Sequence, residues 1–208
     1  MTSKVLPFLQ SGGTVLSDHD IKLAIKSGYV EWKSPYPLKT QPASIDLHIA
    51  KTILTFARRR VENGAIDLKK SVDSFIEYEN IDPTKGAVIH PHEFILGVTE
   101  EWVHLPNQLL ANVDGKSSLG RLGLVIHATA GFIDPGFTGH VTLEITNLTE
   151  QPLIIYPHMP IGQIRFTVMT SPADIPYGDV RLKSKGYVNK YSKNPKPIAS
   201  QYYKNFSK

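Results

Sequence analysis

The sequence predicts a mainly β protein, folded as a sandwich or barrel of short strands. Three runs alternate apolar residues with other residues at every second position: 94–99, 141–146 and 163–168. A period of two is typical of a strand whose two faces meet different surroundings. Turn-forming residues punctuate these runs, as at Asp134-Pro135-Gly136, and many short strands with regular turns favour a sandwich or barrel.

One short helix is predicted near the N-terminus. Ser17 can cap its first turn, an apolar stripe follows over residues 21–25, and Gly28 lies where a C-terminal cap belongs. Residues 35–43 are rich in proline and predict a loop. The pattern of residues 61–85 is mixed and favours no single element.

Composition limits the classes of protein to which this chain can belong. Its 208 residues are enough for one sizeable core, and its 41% hydrophobic and 20% charged residues are ordinary for a globular protein. No apolar run is long enough to span a bilayer, and residues 1–13 lack the layout of a secretory signal. We therefore expect a cytoplasmic protein without a membrane partner.

The chain contains no cysteine. This excludes disulfides, thiol nucleophiles and cysteine-ligated zinc or iron–sulfur sites. Among the eight histidines, His90 and His92 flank Pro91 in a predicted loop, but no third ligand follows at a recognisable spacing. We therefore predict no zinc and no other metal site formed by side chains alone.

Basic residues concentrate at the C-terminus. The formal net charge is +4, and residues 181–208 include eight lysines and arginines but no acidic residue. Such a segment indicates either a solvated terminus or a polyanionic partner, which can be nucleic acid, an anionic membrane or the phosphates of a small ligand. We divide the chain into one β domain at 1–180 and a basic arm at 181–208.

Glu144 is the most informative single residue. It lies inside a predicted strand between Leu143 and Ile145, whose side chains point to the opposite face. A carboxylate among apolar residues is costly unless it is paired or used. We therefore consider it a candidate proton carrier, with a glutamate on the solvent face of a half-exposed strand as the alternative. In the preceding turn, Asp134 can cap the turn or bind a sugar hydroxyl.

The run Gly-Lys-Ser-Ser at 115–118 is similar to the end of a phosphate-binding loop. A P-loop also needs a glycine at position 110, which is Leu110 here, so we reject that motif. A turn of this composition can still bind phosphate through its backbone N–H groups, hydroxyls and lysine, although a plain surface turn is the alternative. The nearby Arg121 can bind a phosphate or carboxylate, or form a surface ion pair.

Taken together, three segments resemble the dCTP deaminases of the trimeric dUTPase superfamily: GKSSLGRLGL at 115–124, HATAGFIDPGFTGHVTLE at 127–144 and PIGQ at 160–163. Ser44-Ile-Asp46-Leu resembles the superfamily's first motif. The resemblance covers residues 14–186. It implies a distorted jelly roll or β-barrel of the dUTPase type, with a short N-terminal helix and a C-terminal arm that closes over the triphosphate. It also implies a homotrimer with active sites between subunits, dCTP as substrate and no nucleic-acid partner.

The resemblance implies roles for individual residues. Glu144 is the catalytic acid/base, while Ser117 and Arg121 of a neighbouring subunit position the water and the base. The residues implied to bind substrate are Lys116, Ser118, Leu119, Gly120, Asp134, Thr142, Leu143, Gln163, Tyr177 and Lys185. Asp134 would receive the 3′-hydroxyl, and Lys190 is the alternative to Lys185 as the phosphate ligand of the tail. Mg²⁺ is implied to bridge the triphosphate oxygens, and dTTP is a candidate feedback inhibitor.

Two residues bear on the product. Gly131-Phe132 resembles the family type that converts dCTP to dUMP and pyrophosphate, because the type that releases dUTP commonly has larger polar residues there. We hypothesise that the pair leaves room for a second water near the α-phosphate. The competing functions are a deaminase that releases dUTP, a plain dUTPase and, least favoured, a nucleotide-sensing module. His92 and His158 stand where relatives often have glycine in turns.

Overall fold

The computed structural model describes residues 6–10, 14–56, 65–129, 131–181 and 195–206, and in these residues the fold is mainly β, as predicted. The strands are β1 (Glu31–Lys33), β2 (Thr40–Gln41), β3 (Ser44–His48), β4 (Thr52–Phe56), β5 (Ile76–Asn80), β6 (Ala87–Ile89), β7 (Phe94–His104), β8 (Leu109–Gly115), β9 (Leu124–Val125), β10 (Phe132–Ile133), β11 (Thr138–Asn147), β12 (Leu153–Ile155) and β13 (Pro160–Val168). The α-helices are α1 (Asp18–Lys26) and α2 (Ser117–Gly120), and 3₁₀ turns cover Pro7–Leu9, Asp73–Phe75 and Tyr202–Asn205.

The strands pair into two larger sheets and one small one. The first sheet has the order β5-β4-β7-β11-β9, with β1 also paired to β7, and the second has the order β10-β8-β13-β3-β2. Strands β12 and β6 form a two-stranded sheet, and every pairing is antiparallel. Across the described strands the two larger sheets are separate, which corresponds to the sandwich form of the prediction.

The core lies between the two larger sheets. Leu143 and Ile145 of β11 are at most 1% exposed, as are Ile164 and Phe166 of β13, and all four belong to one cluster of buried side chains. Burying a side chain of this size contributes about 1.5–3 kcal/mol. These four residues therefore face the core, as predicted, and Glu144 lies on the other face of β11, where it is only partly buried.

Helix α1 forms where the capping residues predict it. The hydroxyl of Ser17 accepts a hydrogen bond from the backbone N–H of Asp20 at 3.3 Å. After Lys26 the chain leaves the helix, and Gly28 adopts a φ of +76° that favours glycine. Ile21 and Ala24 are buried, so the apolar stripe fastens the helix to the core.

Two local expectations need correction, and a segment for which no element was predicted contains a strand. Residues 35–43 include the short strand β2 at Thr40–Gln41, where a loop was expected, because this segment pairs with β3. The run 115–118 is no simple turn, since β8 ends at Gly115 and α2 begins at Ser117. Strand β5 lies in the mixed segment 61–85; four of its five residues are exposed, so it lacks an alternating pattern.

Two histidines hold turns in left-handed backbone conformations. His92 has a φ of 59° and His158 a φ of 68°, values that are uncommon outside glycine. The rings make polar contacts in these positions: His92 Nε2 lies 3.1 Å from Glu150 Oε1, and His158 Nδ1 lies 2.8 Å from Glu100 Oε1. The backbone at both turns is therefore the one that glycine would adopt, which agrees with the glycines expected in relatives.

The C-terminal segment 195–206 lies against the first sheet. Ala199 is 8% exposed and belongs to a small apolar cluster with Leu54, Val72 and Leu96. The hydroxyl of Tyr78 donates a hydrogen bond to the carbonyl oxygen of Pro197 at 3.1 Å. The two candidate tail lysines, Lys185 and Lys190, lie outside the described residues.

Across the described helices, none has the length and apolar character needed to cross a membrane.

Candidate functional site

A cavity of about 940 Å³ lies beside β11 and the segments that precede β11 and follow β13. Five of the predicted site residues line it, namely Phe132, Asp134, Thr142, Glu144 and Tyr177. Pockets for small ligands are commonly of this size, with mostly apolar walls and a few polar groups. The cavity is therefore large enough for a nucleotide, and it has a carboxylate at one wall.

Glu144 is held in a fixed orientation by the loop that precedes β10. Its Oε2 accepts hydrogen bonds from the backbone N–H groups of Ala128 and Thr129 at 2.9 and 3.1 Å. The Thr129 hydroxyl adds a third contact at 3.2 Å. The backbone N–H of Glu144 donates to the Ile126 carbonyl at 3.0 Å, so the same loop holds both the strand and the carboxylate.

The rest of the cavity wall is largely apolar. Aromatic side chains line much of it, among them Phe56, Phe94 and Phe132, which suit the faces of a planar ring. Thr142 faces this space, and its Oγ1 accepts a long hydrogen bond of 3.5 Å from the backbone N–H of Ile198. Leu143 differs, because its side chain is 1% exposed in the core, so only its backbone can face a ligand.

The turn at 134–137 brings Asp134 to the cavity. The N–H of Tyr177 donates to the Pro135 carbonyl at 2.7 Å, which ties this turn to the segment after β13. Gly136 has a φ of +85°, and a Cβ added there would lie 2.6 Å from the Tyr177 carbonyl oxygen. A glycine is therefore required here by both conformation and space.

Gly131 and Phe132 have different surroundings. A Cβ added to Gly131 would lie 2.3 Å from the carbonyl oxygen of Val113, and the Val113 N–H donates to the Gly131 carbonyl at 2.7 Å. The position that a side chain would take at Gly131 is thus occupied by the backbone of β8, so only glycine fits there. Phe132 is 64% exposed and lines the cavity, so its side chain is the member of the pair that can contact a ligand.

A second group of predicted residues meets in the other sheet. The Nζ of Lys116 lies 2.7 Å from Oδ1 of Asp46, whose side chain is 8% exposed. Gln163 lies opposite Asp46 in the pairing of β13 with β3, and its Oε1 accepts a hydrogen bond from the Ser44 hydroxyl at 3.1 Å. The first-motif segment and two predicted phosphate ligands therefore form one polar cluster.

The helix α2 continues this second group. Ser117, Ser118, Gly120 and Arg121 lie at the surface, and Leu119 is partly buried against the core. All of them lie in the described part of the chain, yet none lines the cavity that contains Glu144. A single chain thus presents the predicted site residues as two separate sets.

Several site features were not predicted from the sequence. The main donors to Glu144 are backbone N–H groups of residues 128 and 129, which no residue type signals. Ile198 and Ser200 also line the cavity, although they lie more than fifty residues after Glu144 in the chain. Within the described residues, no group of three or more histidines and carboxylates is arranged to hold a metal ion.

Comparisons with known proteins match this chain over most of its length. A family model described as dCTP deaminase-like matches residues 15–169. A Halobacterium salinarum protein named "dCTP deaminase, dUMP-forming" is 44% identical over 169 residues, covering 80% of this chain and 87% of that protein. A Corynebacterium kroppenstedtii protein of the same name is 41% identical over 192 residues, covering 92% of this chain and 99% of that protein.

A solved structure is similar as well. The crystal structure of 2′-deoxycytidine 5′-triphosphate deaminase from Agrobacterium tumefaciens aligns with a TM-score of 0.58 at 24% identity, over 75% of this chain. This chain spans about half, 48%, of the length of that protein. At this identity the likeness concerns the fold, and it confirms the fold class that the sequence predicted.

Proposed function

Because this chain belongs to the dCTP deaminase-like family, we propose that it converts dCTP to dUMP, ammonia and pyrophosphate. The observation that carries the proposal is the oriented carboxylate of Glu144 in a nucleotide-sized cavity that also contains Asp134 and Thr142. The dUMP-forming outcome is supported by the names of the relatives from H. salinarum and C. kroppenstedtii.

The reaction needs one group that moves protons in both directions. Water attacks C4 of cytosine, and Glu144 takes the proton that the water gives up. The same carboxyl returns this proton to the ring N3, then takes the proton of the hydroxyl now attached to C4 and passes it to the departing amine, so one carboxylate can serve as base and then as acid. A second water cleaves the triphosphate, and the balance is dCTP plus two waters to dUMP, ammonia and pyrophosphate.

The remaining predicted residues divide between binding and orientation. Asp134 receives the 3′-hydroxyl, and Thr142 with the backbone of Leu143 reads the pyrimidine edge. The triphosphate is held by Lys116, Ser118, Leu119, Gly120, Gln163, Tyr177 and a tail lysine. A magnesium ion carried by the substrate would supply charge neutralisation for the departing pyrophosphate beside Lys116. Asp46 holds the ammonium of Lys116 in the polar cluster of the second sheet, where it can contact a phosphate.

The proposal includes a homotrimer with shared active sites. Support comes from the separation in one chain between the Glu144 cavity and the surface residues Ser117 and Arg121. Two groups that act on one substrate must meet, and a neighbouring subunit can bring them together. A cytoplasmic location and inhibition by dTTP are parts of the same proposal that product chemistry does not test.

Product analysis tests the proposed function directly. Purified protein is incubated with dCTP and Mg²⁺, and ammonia, dUMP, dUTP and pyrophosphate are measured at early times by chromatography and a coupled assay. We expect ammonia, dUMP and pyrophosphate to appear in equal amounts with little free dUTP. Accumulation of dUTP in step with ammonia would show a deaminase that releases dUTP.

Parallel reactions with dUTP distinguish a plain dUTPase from a nucleotide-sensing module. Cleavage of added dUTP without any ammonia from dCTP would show a plain dUTPase. Binding of both nucleotides without turnover would leave only a nucleotide-sensing module.

A further inference from the structure

The pairing of β7 with β11 contains an irregularity next to the proposed catalytic strand segment. His140 pairs with Trp102, and Thr142 pairs with Val98. Between these pairs β11 has one residue, Val141, whereas β7 has three, Thr99–Glu101. We call these three residues the β7 bulge. Bulges of this kind bend a strand and redirect the side chains beyond it.

Thr99 replaces the hydrogen bonds that the bulge removes. Its side chain is inside the protein, since the residue is 1% exposed. The Thr99 hydroxyl accepts the backbone N–H of Val141 at 2.9 Å and donates to the carbonyl oxygen of Glu101 at 2.8 Å. The carbonyl oxygen of Thr99 lies 3.0 Å from Nδ1 of His140. Because this position needs a group that both donates and accepts, an apolar side chain cannot fill the role.

The other two residues of the bulge are also held by hydrogen bonds. Glu101 is 2% exposed, and its Oε2 accepts the backbone N–H of His48 at 2.9 Å, while Nδ1 of His48 lies 2.7 Å from Oε1. The carboxylate of Glu100 accepts a hydrogen bond from the hydroxyl of Tyr36 and contacts the ring of His158. These contacts fix the bulge to β3 and to neighbouring loops. The hydroxyl of Thr99 then joins the bulge to β11 through the N–H of Val141.

The register after the bulge determines where the proposed site residues lie. Beyond Val141, Thr142 pairs with Val98 and Glu144 pairs with Leu96. We propose that Thr99 is a positioning residue, whose hydroxyl holds β11 at the bulge so that Thr142 and Glu144 face the cavity. The expected effect on catalysis rests on the proposed function. The hydrogen bonds of Thr99 are part of the fold and do not depend on that function.

Removing the hydroxyl takes a hydrogen bond away from two backbone groups. The N–H of Val141 and the carbonyl of Glu101 would both lose the Thr99 bond, and buried polar groups seek new partners when they lose one. The strand segment would then shift or open at the bulge. Small displacements matter here, because a misplacement of about 1 Å at a reacting group can lower the rate by about 100-fold.

The first test compares Thr99→Val with Thr99→Ser, which keeps the hydroxyl. At a temperature where both are folded by near-UV circular dichroism, we expect kcat of the valine variant to fall by about 10- to 100-fold, with a smaller change in KM. The serine variant should keep most of the activity. If the valine variant does not fold, Thr99→Ala takes its place, since it also lacks the hydroxyl and adds no bulk.

Thr138→Val is the matched control. Its hydroxyl also bonds across the β7–β11 pair, 2.7 Å from Nδ1 of His104, but on the other side of the bulge. We expect this variant to keep its kcat. A kcat for Thr99→Val close to wild type, or an equal loss in Thr99→Ser, would overturn the inference.

Hydrogen exchange provides a readout that does not depend on activity. In Thr99→Val the amides of Val141, Thr142 and Glu144 should exchange faster than in wild type, by about tenfold or more at Val141. If wild-type protein releases no ammonia from dCTP, the proposed function fails, and this measurement alone decides the inference. Unchanged exchange at these three amides would overturn it, whatever the activity.

Discussion

The two carboxylate oxygens of Glu144 have different surroundings. Oε2 accepts the N–H groups of Ala128 and Thr129, whereas Oε1 has one hydrogen-bond contact within the described residues, a 3.4 Å approach from the Thr129 hydroxyl. Since Oε2 is engaged by backbone donors, we infer that Oε1 is the oxygen that exchanges protons with water and substrate. The loop at 126–129 thus holds the carboxylate that the proposed mechanism uses.

We predict that Glu144→Gln binds dCTP and loses deamination. The amide has the same shape, and its carbonyl oxygen can still accept the N–H groups of residues 128 and 129, but it cannot carry the proton. A general acid–base group contributes about 10²–10⁴-fold, and a sole proton carrier should lie at the upper end. Calorimetry measures dCTP affinity, and ammonia release measures turnover.

The control for this variant is Glu150→Gln, a carboxylate that is 83% exposed and contacts only His92 in the described part of the chain. It should keep full turnover. Deamination by Glu144→Gln within a few-fold of wild type would remove Glu144 from the mechanism.

At the scale of residues, the sequence identified Glu144 as a candidate but did not reveal the backbone N–H groups that hold its carboxylate. An acid between Leu143 and Ile145 stands out in the sequence, so the candidate could be named. The bond between Lys116 and Asp46 joins residues 70 positions apart, and the bond of His48 to Glu101 joins residues 53 apart. Such pairs depend on which strands become neighbours in the fold. The sequence pattern around either residue of a pair does not reveal the identity of its partner.

At the scale of elements, prediction worked where the local signal and the tertiary environment agree. Helix α1 has a cap and an apolar stripe, and β11 and β13 alternate because each has one face in the core. Strand β5 is mostly exposed and β2 has only two residues, so neither has a period to detect. The β7 bulge was not predicted either. Thr99–Glu101 has the residue types of an ordinary strand, and only its pairing with β11 is irregular.

The C-terminal segment is an element whose contacts support a role in binding. Ile198 and Ser200 line the cavity, and Ala199 between them is buried in the cluster with Leu54 and Leu96. Alternate residues of this segment therefore face the ligand space and the sheet. Residues 195–206 thus form one wall of the cavity and narrow it. This wall lies beside Thr142, which we propose to contact the pyrimidine edge.

We predict that Ala199→Glu weakens dCTP binding more than it lowers kcat. A carboxylate in the apolar cluster costs about 2 kcal/mol or more, which weakens the docking of the segment. KM for dCTP should rise several-fold, and limited proteolysis should cut the tail sooner. Lys204→Glu, at an exposed position of the same segment, changes the charge in the same direction and should leave KM near the wild-type value.

An unchanged KM for Ala199→Glu, together with faster proteolysis, would mean that the segment docks without contributing to substrate binding.

At the scale of the whole molecule, the separation of the two residue sets is the feature that most needs explaining. The cavity with Glu144 lies beside β11 of the first sheet, while Lys116, Asp46 and Gln163 form a cluster at the second sheet and do not line that cavity. Arg121 is exposed after α2, with a planar guanidinium suited to an anion, and it does not line the Glu144 cavity. The proposed cyclic assembly would unite the two sets without any change in the fold of one chain.

Subunit mixing tests this arrangement. We predict that Arg121→Ala and Glu144→Gln, each inactive alone, recover activity when equal amounts exchange subunits. In a cyclic trimer whose sites take Glu144 from one chain and Arg121 from the next, about one quarter of the sites in random hybrids have both residues intact. The matched control mixes wild type with the double variant Arg121→Ala/Glu144→Gln, which should also leave about one quarter of the sites intact if they are shared, but about one half if each chain has its own complete site. Ammonia release after proven exchange gives both fractions, and inactive mixtures of the single variants together with half activity in the control would show that each subunit acts alone.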